Sequence, residues 1–234
     1  MSFKIRVKIY LLTVFCLGVS GLFIYSQSKS PEAKTESVAL ITSSGCRSAE
    51  TRTVGTFIEG GYFLTVAHGV VGQSSNRITT SSGGMFDALV AAIDIDQDVA
   101  LLELEQPTKN ELFKPVVLGQ ANAGSNVVFV AFDETKQFTR KAKIKRRLKI
   151  NTQDIYRRKK VTRPGLEVEL KIEVGNSGAP LLNDSGELVG ILWATSRLVD
   201  NRSWATRSDV VSKLLSEAIS NTKTSNDQRL ACTG

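Results

Sequence analysis

The chain has 234 residues, of which 41% are hydrophobic and 23% are charged, and this composition excludes an intrinsically disordered protein and a fibrous one. The length accommodates one domain of about 200 residues together with a presequence. A formal net charge of +7 indicates attraction to anionic surfaces, but a global charge specifies neither a fold nor an activity.

The N-terminal segment over residues 1–26 is predicted to be a signal-anchor or a signal peptide. Lys4, Arg6 and Lys8 precede an apolar run over residues 9–25. The run approaches the roughly 20 residues that span a bilayer, and no A-x-A cleavage site follows it, which favours an uncleaved transmembrane helix. With its basic end inside, the chain is expected to be anchored in the inner membrane and to face the periplasm or the cell exterior. Secretion after signal cleavage is the alternative.

The cysteines at positions 16, 46 and 232 allow one disulfide outside the apolar run. Cys46 lies near the start of the predicted domain and Cys232 near its end, so a disulfide between them would join the two termini in an oxidising compartment. One pair without a known spacing pattern is a weak signal, and two free thiols are the alternative.

After a polar linker over residues 27–37, the pattern becomes that of an all-β domain over residues 38–222. Short β-branched or aromatic runs alternate with Gly, Asn, Asp and Ser clusters at roughly ten-residue spacing, which indicates a sandwich or a barrel. The predicted strands are 38–42, 53–58, 62–66, 86–93, 99–104, 127–132, 166–172 and 188–194. A polar tail is expected over residues 223–234.

One later segment, residues 208–219, has the periodicity of a helix. Ser208 or Asp209 is the candidate N-cap. The predicted buried face of this helix consists of Val211, Leu214, Leu215 and Ile219.

Two segments carry residues suited to nucleophilic catalysis, which needs a hydroxyl activated by a base and a carboxylate that orients the base. His68 is the sole histidine and follows the strand predicted over residues 62–66. Asp98 directly precedes another strand, where a carboxylate can accept a hydrogen bond from the imidazole and hold the tautomer that leaves the other ring nitrogen free as a base. Asp94 and Asp96 compete for this orienting role.

A third segment, Gly-Asn-Ser-Gly-Ala-Pro over residues 175–180, is more informative. Two glycines within four residues permit a tight turn in which successive N–H groups point one way. Such a turn exposes Ser177, and the N–H groups of Gly175 and Ser177 would form an oxyanion hole. Taken alone, the segment is equally compatible with an ordinary hairpin or loop.

Taken together, these segments resemble the chymotrypsin-like serine proteases, most closely their Do-like (HtrA-type) branch. Residues 62–71, Tyr-Phe-Leu-Thr-Val-Ala-His-Gly-Val-Val, are similar to the family's strand that ends in the catalytic histidine. Residues 98–102, Asp-Val-Ala-Leu-Leu, resemble its aspartate motif, and residues 175–190 resemble its serine loop and the hairpin after it. The order His, Asp, Ser also fits the family.

The resemblance covers residues 38–220 and implies two six-stranded antiparallel β-barrels with a C-terminal helix and an active site between the barrels. It also implies that residues 116–119 bridge the barrels and that residues 203–206 form the last strand. His68, Asp98 and Ser177 would be the catalytic triad. Ala179 replaces a glycine that is usual in Do-like serine loops, and no PDZ-type peptide-binding domain is expected after the protease unit.

By the same resemblance, Lys171 and Trp193 should lie near the primary substrate pocket. Lys171 at its base would favour acidic side chains, and a lysine that points into solvent is the alternative. Trp193 would narrow the pocket or simply pack. The implied chemistry requires neither a metal nor a cofactor.

A basic segment over residues 140–160 holds eleven of the thirty basic residues. In a membrane-tethered protein it would face anionic lipid head groups or dock an acidic partner. A solvated strand and loop of the second barrel is the alternative. Nucleic acid ranks last as a partner, because Tyr156 is the one aromatic residue of the segment that is available for base stacking.

The sequence therefore predicts a trypsin-like serine endopeptidase that hydrolyses exposed polypeptide through an acyl-enzyme. The alternative is a catalytically latent or inactive protease-fold binding protein at the membrane surface. Three catalytic residue types in register favour the enzyme, since a binding module has no chemical need for them.

Overall fold

The computed structural model of the protein describes residues 35–106 and 112–221. These residues form two closed six-stranded antiparallel β-barrels followed by a helix. The all-β, two-barrel architecture predicted from the sequence is therefore confirmed. The segments 1–26 and 223–234, together with most of the linker over 27–37, lie outside the described residues.

The first barrel is closed in the order β1-β2-β3-β6-β5-β4. Its strands are β1 (Val38–Ser44), β2 (Thr51–Ile58), β3 (Tyr62–Thr65), β4 (Ser75–Thr79), β5 (Met85–Asp94) and β6 (Val99–Leu104). A single helical turn, α1 (Ala67–Val70), follows β3. Four aromatic rings pack at one end of this barrel with centroids 5.0 to 5.7 Å apart, and they belong to Phe57, Phe63, Phe86 and Phe113.

The second barrel is closed in the order β10-β11-β12-β9-β8-β7. Its strands are β7 (Asn126–Asp133), β8 (Lys136–Gln153), β9 (Lys160–Glu169), β10 (Pro180–Leu182), β11 (Leu188–Thr195) and β12 (Ser203–Arg207). The basic segment therefore forms most of the long strand β8 and the tip of the β8–β9 hairpin, as the strand-and-loop alternative predicted.

The segment between the barrels is bonded to both. The Val116 amide donates to the Phe57 carbonyl at 2.9 Å, while the Val117 carbonyl accepts from the Leu188 amide at 2.9 Å. This segment thus joins β2 of the first barrel to β11 of the second, as the resemblance implied for residues 116–119.

The C-terminal helix α2 (Ser208–Asn221) packs against β5 and β11 and so also contacts both barrels. The buried face differs from the predicted one at a single position, because Ile219 is 53% exposed and Ala218 is buried in its place. A residue seven positions after Val211 returns to the same side of an α-helix, whereas the eighth drifts away from it. Ser208 donates its hydroxyl hydrogen to the Gly119 carbonyl.

The strands predicted from local pattern lack β4, β8, β10 and β12, although the resemblance implied β12 and the solvated-strand alternative covered β8. β9 begins earlier than predicted. The first half of β9 carries the polar residues Lys160, Thr162 and Arg163, so no apolar run marks it. Residues 170–172 lie beyond the last residue of β9, although they were predicted to belong to that strand.

Two predictions concern residues that are only partly described. Cys46 is disulfide-bonded, and both other cysteines lie outside the described residues, so its pairing with Cys232 stays a prediction. Within residues 35–106 and 112–221, no helix has the length and apolar character that crossing a bilayer requires.

Candidate active site

His68 lies on α1, directly after β3, and the backbone around it is held from several sides. Arg47 Nη1 donates to the His68 carbonyl at 3.1 Å, and Thr51 Oγ1 donates to the Gly69 carbonyl at 2.5 Å. A Cβ at position 69 would lie 2.3 Å from Thr53 Cγ2, so only glycine permits this close approach of α1 to β2. The imidazole is thereby directed into the groove between the barrels with its side chain 37% exposed.

Asp98 lies one residue before β6, and its side chain is 4% exposed. Its φ of 59° is in the left-handed region, which aspartate tolerates better than most residues. Asp98 Oδ2 lies 2.9 Å from His68 Nδ1, and Asp98 Oδ1 accepts from the His68 backbone amide at 2.9 Å. A carboxylate placed in this way binds the Nδ1–H tautomer and leaves Nε2 with a free electron pair.

The two competing aspartates have other partners. Asp94 Oδ1 accepts hydrogen bonds from the backbone amides of Asp96 and Gln97 at 3.0 Å and so closes the turn before β6. Asp96 Oδ2 binds Lys159 Nζ at 2.8 Å. Asp98 is therefore the aspartate of this turn whose carboxylate contacts the imidazole.

The charge of Asp98 is stabilised despite its burial. Burial alone would raise the pKa of this carboxyl group, but the hydrogen bond from His68 and the positive charges of His68 and Arg163 together lower the pKa below its ordinary value. Asp98 is consequently ionised at neutral pH, the state in which it can orient an imidazole and stabilise an imidazolium.

Ser177 lies in a loop whose first turn requires glycine. The Asn176 amide donates to the Glu173 carbonyl at 3.1 Å, and Gly175 has a φ of 93°, so residues 173–176 form a β-turn with a left-handed third residue. The buried Asn176 side chain fixes this turn, because its Oδ1 accepts from the Glu173 amide and its Nδ2 donates to the Phe132 carbonyl. The turn is thus tied to β7.

The serine loop is bonded to both barrels. The Ser177 carbonyl accepts from the Val54 amide on β2 at 2.8 Å, and the Gly178 amide donates to the Leu192 carbonyl on β11 at 2.7 Å. Gly178 has a φ of 85°, and a Cβ there would lie 2.1 Å from the Val54 carbonyl oxygen. This position therefore accepts only glycine, as the predicted motif requires.

The groove between the barrels is a cleft of about 1030 Å³ that is lined by His68, Gly175, Asn176 and Ser177 among other residues. Among the residues that the structure describes, the amides of Gly175 and Ser177 donate to no acceptor and so stay available to a ligand. In the same part of the chain, the Ser177 hydroxyl makes no hydrogen bond to the imidazole. In structures of proteases without substrate, the hydrogen bond between serine and histidine is often long or absent.

The two residues predicted for the substrate pocket lie near the ends of strands of the second barrel. Lys171 is exposed just after β9, and the half-buried Trp193 on β11 packs against Trp204 with ring centroids 6.4 Å apart. Neither lines the cleft described above. Their assignment to a primary pocket stays a prediction.

Sequence reasoning missed two residues that contact this site. Asn176 was seen only as part of a motif, although a polar residue between a positive-φ glycine and a nucleophile could have suggested an anchor. Arg163 lies on β9 in a basic stretch, and its buried contact with Asp98 at 3.3 Å had no sequence signal. Nothing in one sequence distinguishes this arginine from its solvated neighbours.

Comparison with known proteins matches residues 53–191 to the family described as the trypsin-like peptidase domain. The chain is 28% identical over 162 residues to the serine protease HTRA4 of Homo sapiens. The aligned region covers 68% of this chain and 33% of that protein. It is 30% identical over 138 residues to the serine protease Rv3671c of Mycobacterium tuberculosis, covering 57% and 33% of the two chains. The chain thus spans about a third of the length of the curated relatives that it matches.

Solved structures have the same fold. The active form of the Rv3671c protease from M. tuberculosis superposes with a TM-score of 0.73 at 23% identity, covering 80% of this chain and 82% of that one. The serine endoprotease from Yersinia pestis superposes with a TM-score of 0.65 at 18% identity, covering 82% and 65% of the two chains.

Proposed function

This chain belongs to the trypsin-like peptidase domain family, and on that premise we propose that it is a serine endopeptidase with His68, Asp98 and Ser177 as its catalytic triad. The observation that carries the proposal is the double contact of the buried Asp98 carboxylate with His68, through Nδ1 and through the backbone amide, at a cleft that Ser177 also lines. A structural ion pair would not need to leave the other ring nitrogen free beside a serine.

In the proposed reaction, Ser177 Oγ attacks the carbonyl carbon of the scissile peptide while His68 Nε2 takes the hydroxyl proton. The carbonyl π electrons move to oxygen, and the amides of Gly175 and Ser177 donate to the resulting oxyanion. The C–N bond of the tetrahedral intermediate then breaks, and the leaving amine takes from His68 the proton that came from Ser177. An acyl-enzyme remains. Water attacks this ester by the same steps and releases the acid and the free serine.

The proposed substrate class is polypeptide. A cleft of about 1030 Å³ is larger than a single side chain needs and accommodates several residues of an extended chain. Its lining carries both signs of charge, because it includes Arg52, Lys136 and Arg140 as well as Glu50, Glu134 and Glu173. This mixed lining supports a polypeptide in general and favours no particular side chain.

The proposal is tested by covalent labelling of the full-length chain with a fluorophosphonate, measured by intact mass. The expected result is one adduct on the wild-type chain, none on Ser177→Ala and a strongly reduced amount on His68→Ala, because the probe reacts only with an activated serine. Ser216→Ala, which changes an exposed serine of α2, is the matched control and should label like the wild type.

The catalytically latent binding protein remains the second candidate, since the Ser177 hydroxyl and the imidazole make no hydrogen bond within the described part of the chain. Failure of a folded wild-type sample to label would support that candidate and contradict the enzyme. Labelling that survives Ser177→Ala would show that the wrong nucleophile had been chosen.

We also propose that residues 1–26 attach the chain to the inner membrane, with the folded part in the periplasm or cell exterior. The exposed basic side chains of β8 and of the β8–β9 tip would then face anionic lipid or an acidic partner, although Lys145, Arg146 and Lys159 already pair with carboxylates of this chain. The full-length chain is expected in the membrane fraction after alkaline carbonate washing. Its recovery in the soluble fraction would contradict an anchor.

A further inference from the structure

A buried arginine contacts the carboxylate of Asp98 at Oδ2, the oxygen that also lies beside His68 Nδ1. The Arg163 side chain on β9 is 3% exposed, and its Nη1 lies 3.3 Å from Asp98 Oδ2. Its Nε donates to the Asp96 carbonyl at 2.7 Å, and its Nη2 donates to the Gln153 carbonyl at 3.1 Å. All three guanidinium nitrogens therefore have an acceptor, which only the planar fork of arginine can satisfy at once.

An aromatic column fixes the plane of this guanidinium. Arg163 Cζ lies 4.7 Å from the ring centroid of Trp193, and Trp193 in turn stacks on Trp204 at an interplanar angle of 28°. The indole Nε1 of Trp193 is buried without a hydrogen-bond partner among the described residues, so the ring contributes packing and its π face there. Trp193 thus supports Arg163.

The hairpin that carries Arg163 also forms a hydrogen bond and an ion pair with the turn that carries Asp98. The Ile155 amide at the tip of the β8–β9 hairpin donates to the Ile95 carbonyl at 3.2 Å, and Lys159 Nζ binds Asp96 Oδ2 at 2.8 Å. Asp98 belongs to the first barrel and Arg163 to the second. The position of the Asp98 carboxylate is consequently set by both barrels.

Stability alone is a weak reason for such a pair, because two well-packed apolar residues usually stabilise a core as well as a buried ion pair does. The charges that act on Arg163 are those of Asp98, Asp94 and Asp96, and Lys159 partly offsets Asp96. Burial lowers the pKa of the guanidinium, although these carboxylates oppose the shift, and an arginine stays protonated at neutral pH.

We infer that Arg163 is a positioning residue for the proposed triad. Arg163 orients the Asp98 carboxylate toward His68, and its positive charge limits how strongly that carboxylate stabilises the imidazolium relative to the neutral imidazole. The inference rests on the proposed function for its consequence in catalysis. Its physical basis, the contact of Arg163 with the His68–Asp98 pair, is measurable without any catalysis.

His68 supplies the measurement, because it is the sole histidine and its ring signals need no assignment in an untagged chain. The full-length protein is titrated by NMR in the wild-type and Arg163→Met forms. Removing a positive charge beside Asp98 leaves the carboxylate free to stabilise the imidazolium, so the midpoint of the histidine titration is expected to move about one pH unit upward. Fluorophosphonate labelling at pH 7 should slow about 10-fold, with the acid limb of its pH profile displaced in the same direction.

One further variant separates the effect of the charge from the effect of the geometry. Arg163→Lys keeps a cation and is expected to restore the titration midpoint while labelling stays slow, since an ammonium cannot reach all three acceptors. Arg146→Met is the matched control, because Arg146 on the adjacent strand pairs with Glu167 and does not contact Asp98. It should change neither readout. Arg163→Gln replaces Arg163→Met if the latter does not fold.

The results for the Arg163 variants can be distinguished from the test of the proposed enzyme activity. A folded neutral variant at position 163 with the wild-type midpoint and labelling rate would overturn the inference and leave the enzyme assignment standing. A displaced midpoint in a protein whose wild-type form does not label would support the positional role of Arg163 and contradict the enzyme.

Discussion

The Asp98→Asn variant is expected to react with a fluorophosphonate about 10⁴-fold more slowly than the wild-type chain. Both oxygens of the Asp98 carboxylate accept hydrogen bonds, from the His68 backbone amide, from the imidazole and from Arg163. An asparagine side chain offers one oxygen and one NH₂ group, so one of these donors meets another donor. If the NH₂ group faces the ring, the imidazole must present its lone pair at Nδ1 and its proton at Nε2, where it cannot act as a base.

The same substitution leaves Arg163 without its carboxylate, so the expected cost in the free energy of unfolding is about 3 kcal/mol. The labelling rate therefore has to be compared on samples whose circular dichroism shows the native fold. Asp96→Asn is the matched control, because it lies two residues away in the same turn and pairs with Lys159 at the surface. An Asp98→Asn rate within tenfold of the Asp96→Asn rate would contradict the role given to Asp98.

The Gly178→Ala variant is expected to lose about 3 kcal/mol in the free energy of unfolding together with its labelling. A Cβ at this position would lie 2.1 Å from the Val54 carbonyl oxygen and 2.7 Å from Thr65 Oγ1, and a φ of 85° adds backbone strain. The loop can relieve the clash only by moving away from β2, which breaks the bond between the Val54 amide and the Ser177 carbonyl. Urea unfolding and the labelling assay measure the two losses.

The Gly61→Ala variant separates the effect of backbone strain from the effect of a steric clash at Cβ. Gly61 also has a φ of 85°, but a Cβ there meets no atom within 4 Å. This variant is expected to lose about 1 kcal/mol through strain alone and to keep its labelling. Equal losses in the two variants, with full labelling of both, would show that the fit of Gly178 against β2 does not matter.

The parts of the site that could be predicted are those whose chemistry depends on short local patterns. His68 follows an apolar strand, Asp98 directly precedes another, and Ser177 lies between two glycines, so each motif is visible within a few residues. Gly175 and Gly178 adopt the positive φ values that a tight loop requires. Local sequence therefore carried both the order and the identity of these residues.

Contacts between distant segments were not predictable in the same way. Arg163 reaches Asp98 across 65 positions of the chain, and it follows the strand β8, whose lysines and arginines are almost all exposed. Strand periodicity alone would place such a residue in solvent. The buried position follows from the register between β8 and β9, which a single sequence does not specify.

The short strands β4 and β10 were not predicted for a related reason. β4 contains Ser, Asn, Arg and Thr around one buried Ile78, and β10 has only three residues. Both are strands because neighbouring strands supply their hydrogen-bond partners when each barrel closes. Propensity within so few residues is too weak to reveal that closure.

The docking of the serine loop on both barrels makes the position of Ser177 depend on the folding of both halves of the domain. His68 and Asp98 belong to the half that emerges first from the ribosome, whereas Ser177 gains its two anchors only when β2 and β11 are both in place. In a half-folded chain, the proposed base His68 and the proposed nucleophile Ser177 are therefore not yet held in one cleft. Labelling of Ser177 in the proposed enzyme therefore requires that both barrels have folded.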